Sequence, residues 1–203
     1  MKSANRIILF FGLILVISGV GQALAVNYIN LIDHTEKWYV SEGYDKFTTL
    51  RLHTVVRHYS EGISVMRRDM LHDETVLSSE RLLFEAASNG DILLHGNLDA
   101  EIFSEPIRWI AAPLTTGKTW TDNRSDTTGD PSERIHYVFA VLDQSVVSCP
   151  MGDFPCYEVF MTEIHPDGHI LNSTFWYNEA CGMVMCATED SRLFKLNKTF
   201  VGG

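Results

Sequence analysis

The stretch that decides the fold runs from Cys149 to Asp190 and reads CPMGDFPCYEVFMTEIHPDGHILNSTFWYNEACGMVMCATED. Within it, two alternating apolar runs, Tyr157 to Ile164 and Ile170 to Tyr177, flank His165-Pro166-Asp167-Gly168-His169. Pro presets one backbone angle of a tight turn and Gly supplies the left-handed one, so the segment predicts a β-hairpin. Met183 to Thr188 and Leu193 to Phe200 continue as two further strands, joined across Glu189-Asp190-Ser191-Arg192.

Towards the N-terminus, Arg134 to Val147 is the longest strand candidate, with Ile135, Tyr137, Phe139 and Val141 on one face and Val138, Ala140 and Leu142 on the other. A strand apolar on both faces is expected at the centre of a sheet covered on both sides. Asp122 to Glu133 reads as a polar loop, preceded by the apolar Pro106–Trp120 segment. In Thr75 to Ser88, a helix capped by Gly90 competes with two strands turning at Asn89-Gly90, and the Asn-Gly hairpin signal favours the strands. Ile63, Val65 and Arg67 carry extended chain to about His72, and Leu50, Leu52 and Val56 oppose Arg51, His53 and Arg57 with a period of two. Tyr28 to Trp38 reads as a helical turn or a loop leading into a first strand at Trp38-Tyr39-Val40. The expectation is an all-β antiparallel meander of about ten strands, curled into an open or half β-barrel, with at most one short helix.

Lys2 and Arg6 precede an apolar run from Ile7 to Val20, and Ala23-Leu24-Ala25 fits a small-x-small cleavage site. Residues 1–25 therefore read as a secretory signal peptide, and 26–203 as one domain. The run falls short of the roughly 20 residues a spanning helix needs, so no stable membrane span is expected after cleavage. The expected location is exported, either periplasmic or extracellular. The chain has 16 Lys and Arg against 26 Asp and Glu, and without the signal 14 against 26. That balance repels phosphate backbones and sets nucleic-acid binding aside.

In an exported chain, Cys149, Cys156, Cys181 and Cys186 are most simply disulfide-forming. The spacing favours a Cys149–Cys156 bridge. Cys181 and Cys186 would be roughly 16 Å apart if the chain between them were extended, so they can pair only if Gly182 bends it. Of the other chemistry-bearing patterns, Thr116-Gly117-Lys118-Thr119 lacks the upstream glycine of a phosphate-binding loop, because Ala112 stands there. His165, Asp167 and His169 surround a turn tip and could form a surface metal site of the imidazole-and-carboxylate kind. Asp122, Asp126, Asp130 and Glu133 lack the glycine position of an EF-hand loop. There is no G-x-S-x-G elbow, Ser-x-x-Lys pair or HExxH spacing, so no catalytic residue is assigned and no cofactor is implied. Trp109, Trp120, Trp176, Tyr137, Tyr177 and Phe175 would line a sugar or lipid cleft if they faced outward; as core residues they need no further role.

The combination Pro113-Leu114-x-x-Gly117-Lys118-x-Trp120, Gly152-Asp153-Phe154-Pro155-Cys156 and Trp176-Tyr177 with Gly182-x-Val184 resembles a pattern of exported bacterial β-proteins, many of unknown function. The resemblance covers residues 106 to 188 and implies an open β-barrel-like fold. The functional expectation is a non-enzymatic exported β-domain whose curved sheet binds an apolar or envelope-derived ligand, or a partner protein. Two alternatives stand beside it: a hydrolase of glycans or lipids built from dispersed carboxylates and histidines, and a structural surface protein.

Overall fold

In a computed structural model that describes residues 28–29, 31–42, 50–124, 134–188 and 193–201, the chain forms twelve strands. The signal segment 1–25, Asp126, Asp130, Glu133 and the Glu189 to Arg192 connection lie outside the described residues. The strands are β1 Thr35–Glu42, β2 Leu50–Ser60, β3 Ile63–His72, β4 Thr75–Ala86, β5 Ile92–Asn97, β6 Glu101–Ile110, β7 Thr119–Arg124, β8 Ile135–Cys149, β9 Gly152–Ile164, β10 Ile170–Asn178, β11 Gly182–Thr188 and β12 Leu193–Val201.

They make one sheet in the order β6-β5-β4-β3-β2-β1-β12-β11-β10-β9-β8-β7. Sequence neighbours pair as antiparallel hairpins, and the first and last strands meet in the middle, with Lys37 opposite Thr199. The two sheet edges, β6 and β7, are adjacent in sequence. They approach each other through side chains: Asp122 Oδ2 accepts from the Arg108 amide at 2.7 Å, the Trp120 indole donates to the Arg108 carbonyl at 2.9 Å, and Arg124 pairs with Glu101. The sheet is thus a nearly closed barrel rather than a half-barrel.

The difference between ten strands and twelve lies mainly in β6 and β7. β6 reads EIFSEPIRWI, with three charged residues and a proline, and β7 reads TWTDNR, which is almost wholly polar. Proline cannot donate to a ladder and is tolerated on an edge strand, which is where β6 lies. The hairpins at Asn89-Gly90 and at His165 to His169 form as the turn chemistry predicts: Gly90 N donates to Ala87 O, and His165 N to His169 O. No short helix is present among the described residues. The expected central position of β8 is corrected. It is next to the β7 edge, and although Tyr137, Phe139 and Val141 are buried, Val138, Leu142 and Val146 are exposed on the outer face.

Inward-facing side chains gather into two apolar clusters. One contains Phe84, Ile92, Ile107, Leu114, Trp120 and Phe139; the other contains Tyr39, Leu52, Cys156, Val184, Phe194 and Leu196. The fully buried Tyr28 enters the first, where its hydroxyl accepts from the Leu114 amide at 3.1 Å and its ring meets Tyr157 edge-on. Residues 28–29 therefore fill one end of the barrel. They pass so close to Gly182 that a Cβ there would lie 2.9 Å from the Ile29 carbonyl carbon.

Candidate functional site: the barrel interior

Alternation delivers every second residue of each strand to the inside, and the barrel is not filled. A cavity of about 290 Å³ is lined by residues from eleven strands, β1 to β11, and by Ile29 and Ala100. Its apolar wall includes Leu82, Leu94, Phe103, Trp109 and Phe175. Ring packing fixes part of it: Trp109 meets Phe84, Phe139 and Phe175 edge-on and donates its indole N–H to the Tyr177 hydroxyl at 3.1 Å. Burial raises the Tyr177 hydroxyl, and the Trp109 hydrogen bond opposes that rise. Tyr137 is pushed up to about 12 by burial, with the nearby Glu163 adding to the effect.

The aromatic set singled out in the sequence therefore divides. Trp109, Tyr137, Phe175 and Tyr177 line the cavity. Trp120 is buried, stacked on Phe139 at 4.9 Å, and Trp176 packs on the second cluster.

A polar row crosses the apolar interior. The register sets Lys37 opposite Thr54, Thr54 opposite Arg68, and Arg68 opposite Glu80, and all four line the cavity. The three cavity carboxylates each have a cationic or imidazole neighbour: Glu80 pairs with Arg68, Glu101 with Arg124, and Glu163 Oε1 lies 2.9 Å from His165 Nε2. That last contact is close but off the angle of a hydrogen bond. These groups keep part of their surface in solvent, whereas Lys37 is only 4% exposed. Its ammonium donates to the Cys181 carbonyl, and no carboxylate among the described residues pairs with it. Burial lowers it from 10.5 to about 8. Two residues away on the same face of β1, the Thr35 hydroxyl is buried in the cavity wall without a partner.

The sequence carries only part of this signal, without the register that aligns the row. Lys37-x-Tyr39, Leu52-x-Thr54-x-Val56, Met66-x-Arg68-x-Met70 and Glu80-x-Leu82-x-Phe84 each carry one polar residue on an otherwise apolar face. On β3 the inward set is Met66, Arg68 and Met70, which stand opposite Val56, Thr54 and Leu52, rather than Ile63 and Val65.

The four cysteines are free thiols. The expected Cys149–Cys156 bridge is not formed: Cys149 stands opposite Gly152 and Cys156 opposite Ser145, which separates the two by four residues along the hairpin, roughly 13 Å. Cys181 and Cys186 are not joined either, because β11 runs extended from Gly182. Burial pushes the Cys156 thiol up to about 12, with Cys181 and then Cys149 adding to it, and the Cys186 thiol up to about 11. Protonated thiols are poor nucleophiles.

At the β9–β10 turn the His165 and His169 rings lie 5.7 Å apart, and Asp167 Oδ1 accepts from the His169 amide. Among the described residues no three His, Cys, Asp or Glu side chains gather as a metal site. The Lys118 ammonium reaches back to the carbonyls of Ala111, Ala112 and Pro113, so the Gly117-Lys118 segment is a turn clasp, not a phosphate cradle.

The outer face carries a Ser, His and Asp group that the sequence did not signal, since its members lie on β2, β3 and β4. His53 stacks on Trp38 at 3.9 Å, its Nε2 is 3.0 Å from Glu36 and its Nδ1 is 3.8 Å from Asp69. The Trp38 indole, donating at 2.8 Å, holds the Glu36 carboxyl below its usual range, with His53 adding to this. Ser79, however, donates to Asp69 at 2.6 Å and not to the imidazole. A serine nucleophile needs its base within hydrogen-bond reach, so this is a surface ion-pair cluster rather than a triad.

No protein-family model matches the chain, and no curated protein matches it. Solved structures similar in fold include a candidate exported protein with YmcC-like fold from Bacteroides fragilis, 14% identical, with a TM-score of 0.49, covering 86% of this chain and 99% of that one. A candidate lipoprotein from Parabacteroides distasonis is 11% identical, with a TM-score of 0.45 and coverage of 86% and 99%. A β-barrel-like protein of a domain of unknown function from Brucella abortus is 9% identical, with a TM-score of 0.45 and coverage of 85% and 99%. These are distant likenesses, and the barrel is established by this chain's own strand pairing.

Proposed function

We propose that this chain is an exported binding protein that holds a small apolar or cell-envelope-derived molecule inside its barrel. One observation carries the reading: the cavity of about 290 Å³, walled by Leu82, Leu94, Phe103, Trp109 and Phe175. Ligand pockets are typically about 300 to 1,000 Å³, mostly apolar, with a few polar groups, and barrel interiors are a recurrent place for them. The cavity therefore suits one small molecule. The signal-like segment at residues 1–25 and the resemblance carried by Pro113 to Trp120, Gly152 to Cys156 and Trp176 to Val184 support export to the periplasm or the extracellular space.

The outer face carries Arg57, Arg67, Asp143 and Lys198 in exposed positions, while two apolar clusters and a narrower set of polar groups occupy the interior. A barrel embedded in lipid has the reverse arrangement. No helix of the described residues is long and apolar enough to cross a membrane. The hydrolase alternative finds less support, because the cavity carboxylates each face a cationic or imidazole group and Ser79 turns away from His53.

Fluorescence of the neutral dye N-phenyl-1-naphthylamine, titrated into the full-length protein and into Ala100→Trp, tests the proposal. Ala100 is exposed and lines the cavity, so a large ring there blocks entry without disturbing the core. Saturable uptake by the parent and its loss in Ala100→Trp are expected. Absence of saturable uptake by the folded parent would overturn the reading. Native mass spectrometry of protein from its own host then identifies the natural occupant.

A further inference from the structure

The apolar wall explains why a ligand would carry hydrocarbon, but not why a lysine is buried beside it. A buried ammonium without a counter-charge is costly, and such groups are ordinarily paired or fully hydrogen-bonded. Lys37 has three N–H donors, and one carbonyl, that of Cys181, is its hydrogen-bond partner among the described residues. Arg68 and Arg124, the other cavity cations, are matched by Glu80 and Glu101. Lys37 is therefore the cavity cation without a carboxylate partner among the described residues. The Thr35 hydroxyl, 1% exposed and without a partner, is a second unmatched donor in the same wall. Both side chains leave the inner face of β1 two residues apart, a spacing of about 7 Å along a strand, so an acceptor group seated between them meets both.

We propose that the barrel interior takes a single-chain carboxylic acid, its carboxylate held between Lys37 Nζ and Thr35 Oγ1 and its hydrocarbon lying against Leu82, Leu94, Trp109 and Phe175. The inference rests on the binding reading above and adds the charge and polarity of the ligand. An anionic head supplies the acceptors that Lys37 and Thr35 lack, and charge-assisted hydrogen bonds are the stronger kind. It also offsets the cost of keeping the ammonium out of water, the burial that lowers the Lys37 pKa. The selectivity is local: the chain as a whole carries a formal net charge of −10, so its long-range field repels acids.

Displacement of N-phenyl-1-naphthylamine by decanoic acid and by decan-1-ol at pH 7, in the full-length protein, in Lys37→Met and in Thr35→Val, tests the inference. The parent is expected to bind the acid about tenfold or more tightly than the alcohol, the size of effect a charged hydrogen bond gives. Lys37→Met should reduce that ratio to about one, and Thr35→Val should weaken the acid selectively by about threefold to tenfold. Equal affinity for acid and alcohol in the parent, a measurement that needs no variant, overturns the carboxylate inference and leaves the apolar-ligand reading standing. An undiminished acid preference in folded Lys37→Met overturns the assignment of Lys37. Failure of the folded parent to take up even the neutral dye sinks the underlying reading itself.

Discussion

Replacing Lys37 with Met should stabilise the protein against unfolding, by an amount that depends on pH. Burial lowers the Lys37 ammonium from 10.5 to about 8. At about 1.4 kcal/mol per pH unit, the folded state holds that charge at a cost of about 3 kcal/mol relative to the unfolded chain. Met fills a similar volume without charge but leaves the Cys181 carbonyl without its donor, which costs about 1 kcal/mol. The net expectation at pH 7 is a gain of about 2 kcal/mol, or a rise of about 4 to 8 °C in Tm for a chain of this size. The sign with pH follows from proton binding. Between about pH 8 and 10.5 the unfolded chain keeps the Lys37 proton and the folded one releases it, so parental stability rises with pH through that window; below about pH 8 the penalty is present in full. The advantage of Lys37→Met should therefore narrow by about 1 kcal/mol between pH 7 and pH 9. Cys156 and Cys186, held protonated in the fold, lower stability as pH rises through 9, but they do so in both proteins and cancel in the difference. Paired urea denaturation curves at pH 6.5, 7.5, 8.5 and 9 make the measurement. A gap that stays constant with pH, or a variant less stable than the parent at pH 7, would refute the reasoning.

Two further expectations concern the filled end of the barrel. Gly182 has a φ of +79°, and a Cβ there meets the Ile29 carbonyl carbon at 2.9 Å and the Tyr28 oxygen at 3.0 Å, so Gly182→Ala should cost about 2 kcal/mol or more in urea unfolding; a change within about 0.5 kcal/mol contradicts the described path of residues 28–29. The Cys181 and Cys149 thiols lie within electrostatic reach of Cys156, and Asn178 Nδ2 ties the β10–β11 turn to the Pro155 carbonyl at 2.8 Å. Mild oxidation should accordingly join Cys156 to Cys181 first, and a Cys149–Cys156 peptide in non-reducing maps would show that the β8–β9 register is different.

Strands with one apolar face and turns built on Asn-Gly or Pro-Asp-Gly could be read directly, because both signals are local. The β4–β5 and β9–β10 hairpins follow from them. β6 and β7 could not be read so, because an edge strand closed by side chains needs neither strict alternation nor a proline-free backbone. The two-sided apolarity of β8 pointed to a covered strand, yet Val138, Leu142 and Val146 face outward beside the β7 edge; composition reports what a face could bury, not what is there to bury it. The cavity was hidden for a similar reason. Lys37, Thr54, Arg68 and Glu80 are ordinary strand residues in isolation, and only the register across β1 to β4 aligns them. Cysteine pairing is hard to read for the same reason, since sequence spacing cannot say how far a hairpin turn lies from each thiol.

The junction between β6 and β7 has a consequence for how the molecule behaves among its neighbours. Two strand edges in one protein ordinarily present unpaired amide and carbonyl rows that invite other chains to add on. Here each edge shields the other, with Asp122 and Trp120 occupying the amide and carbonyl of Arg108 and the Arg124–Glu101 pair spanning the gap. Yet no backbone ladder has to break for that junction to part. Side chains close the wall there, and all eleven strand pairings lie elsewhere in the sheet, so the closure of the barrel and the integrity of its ladders rest on different contacts.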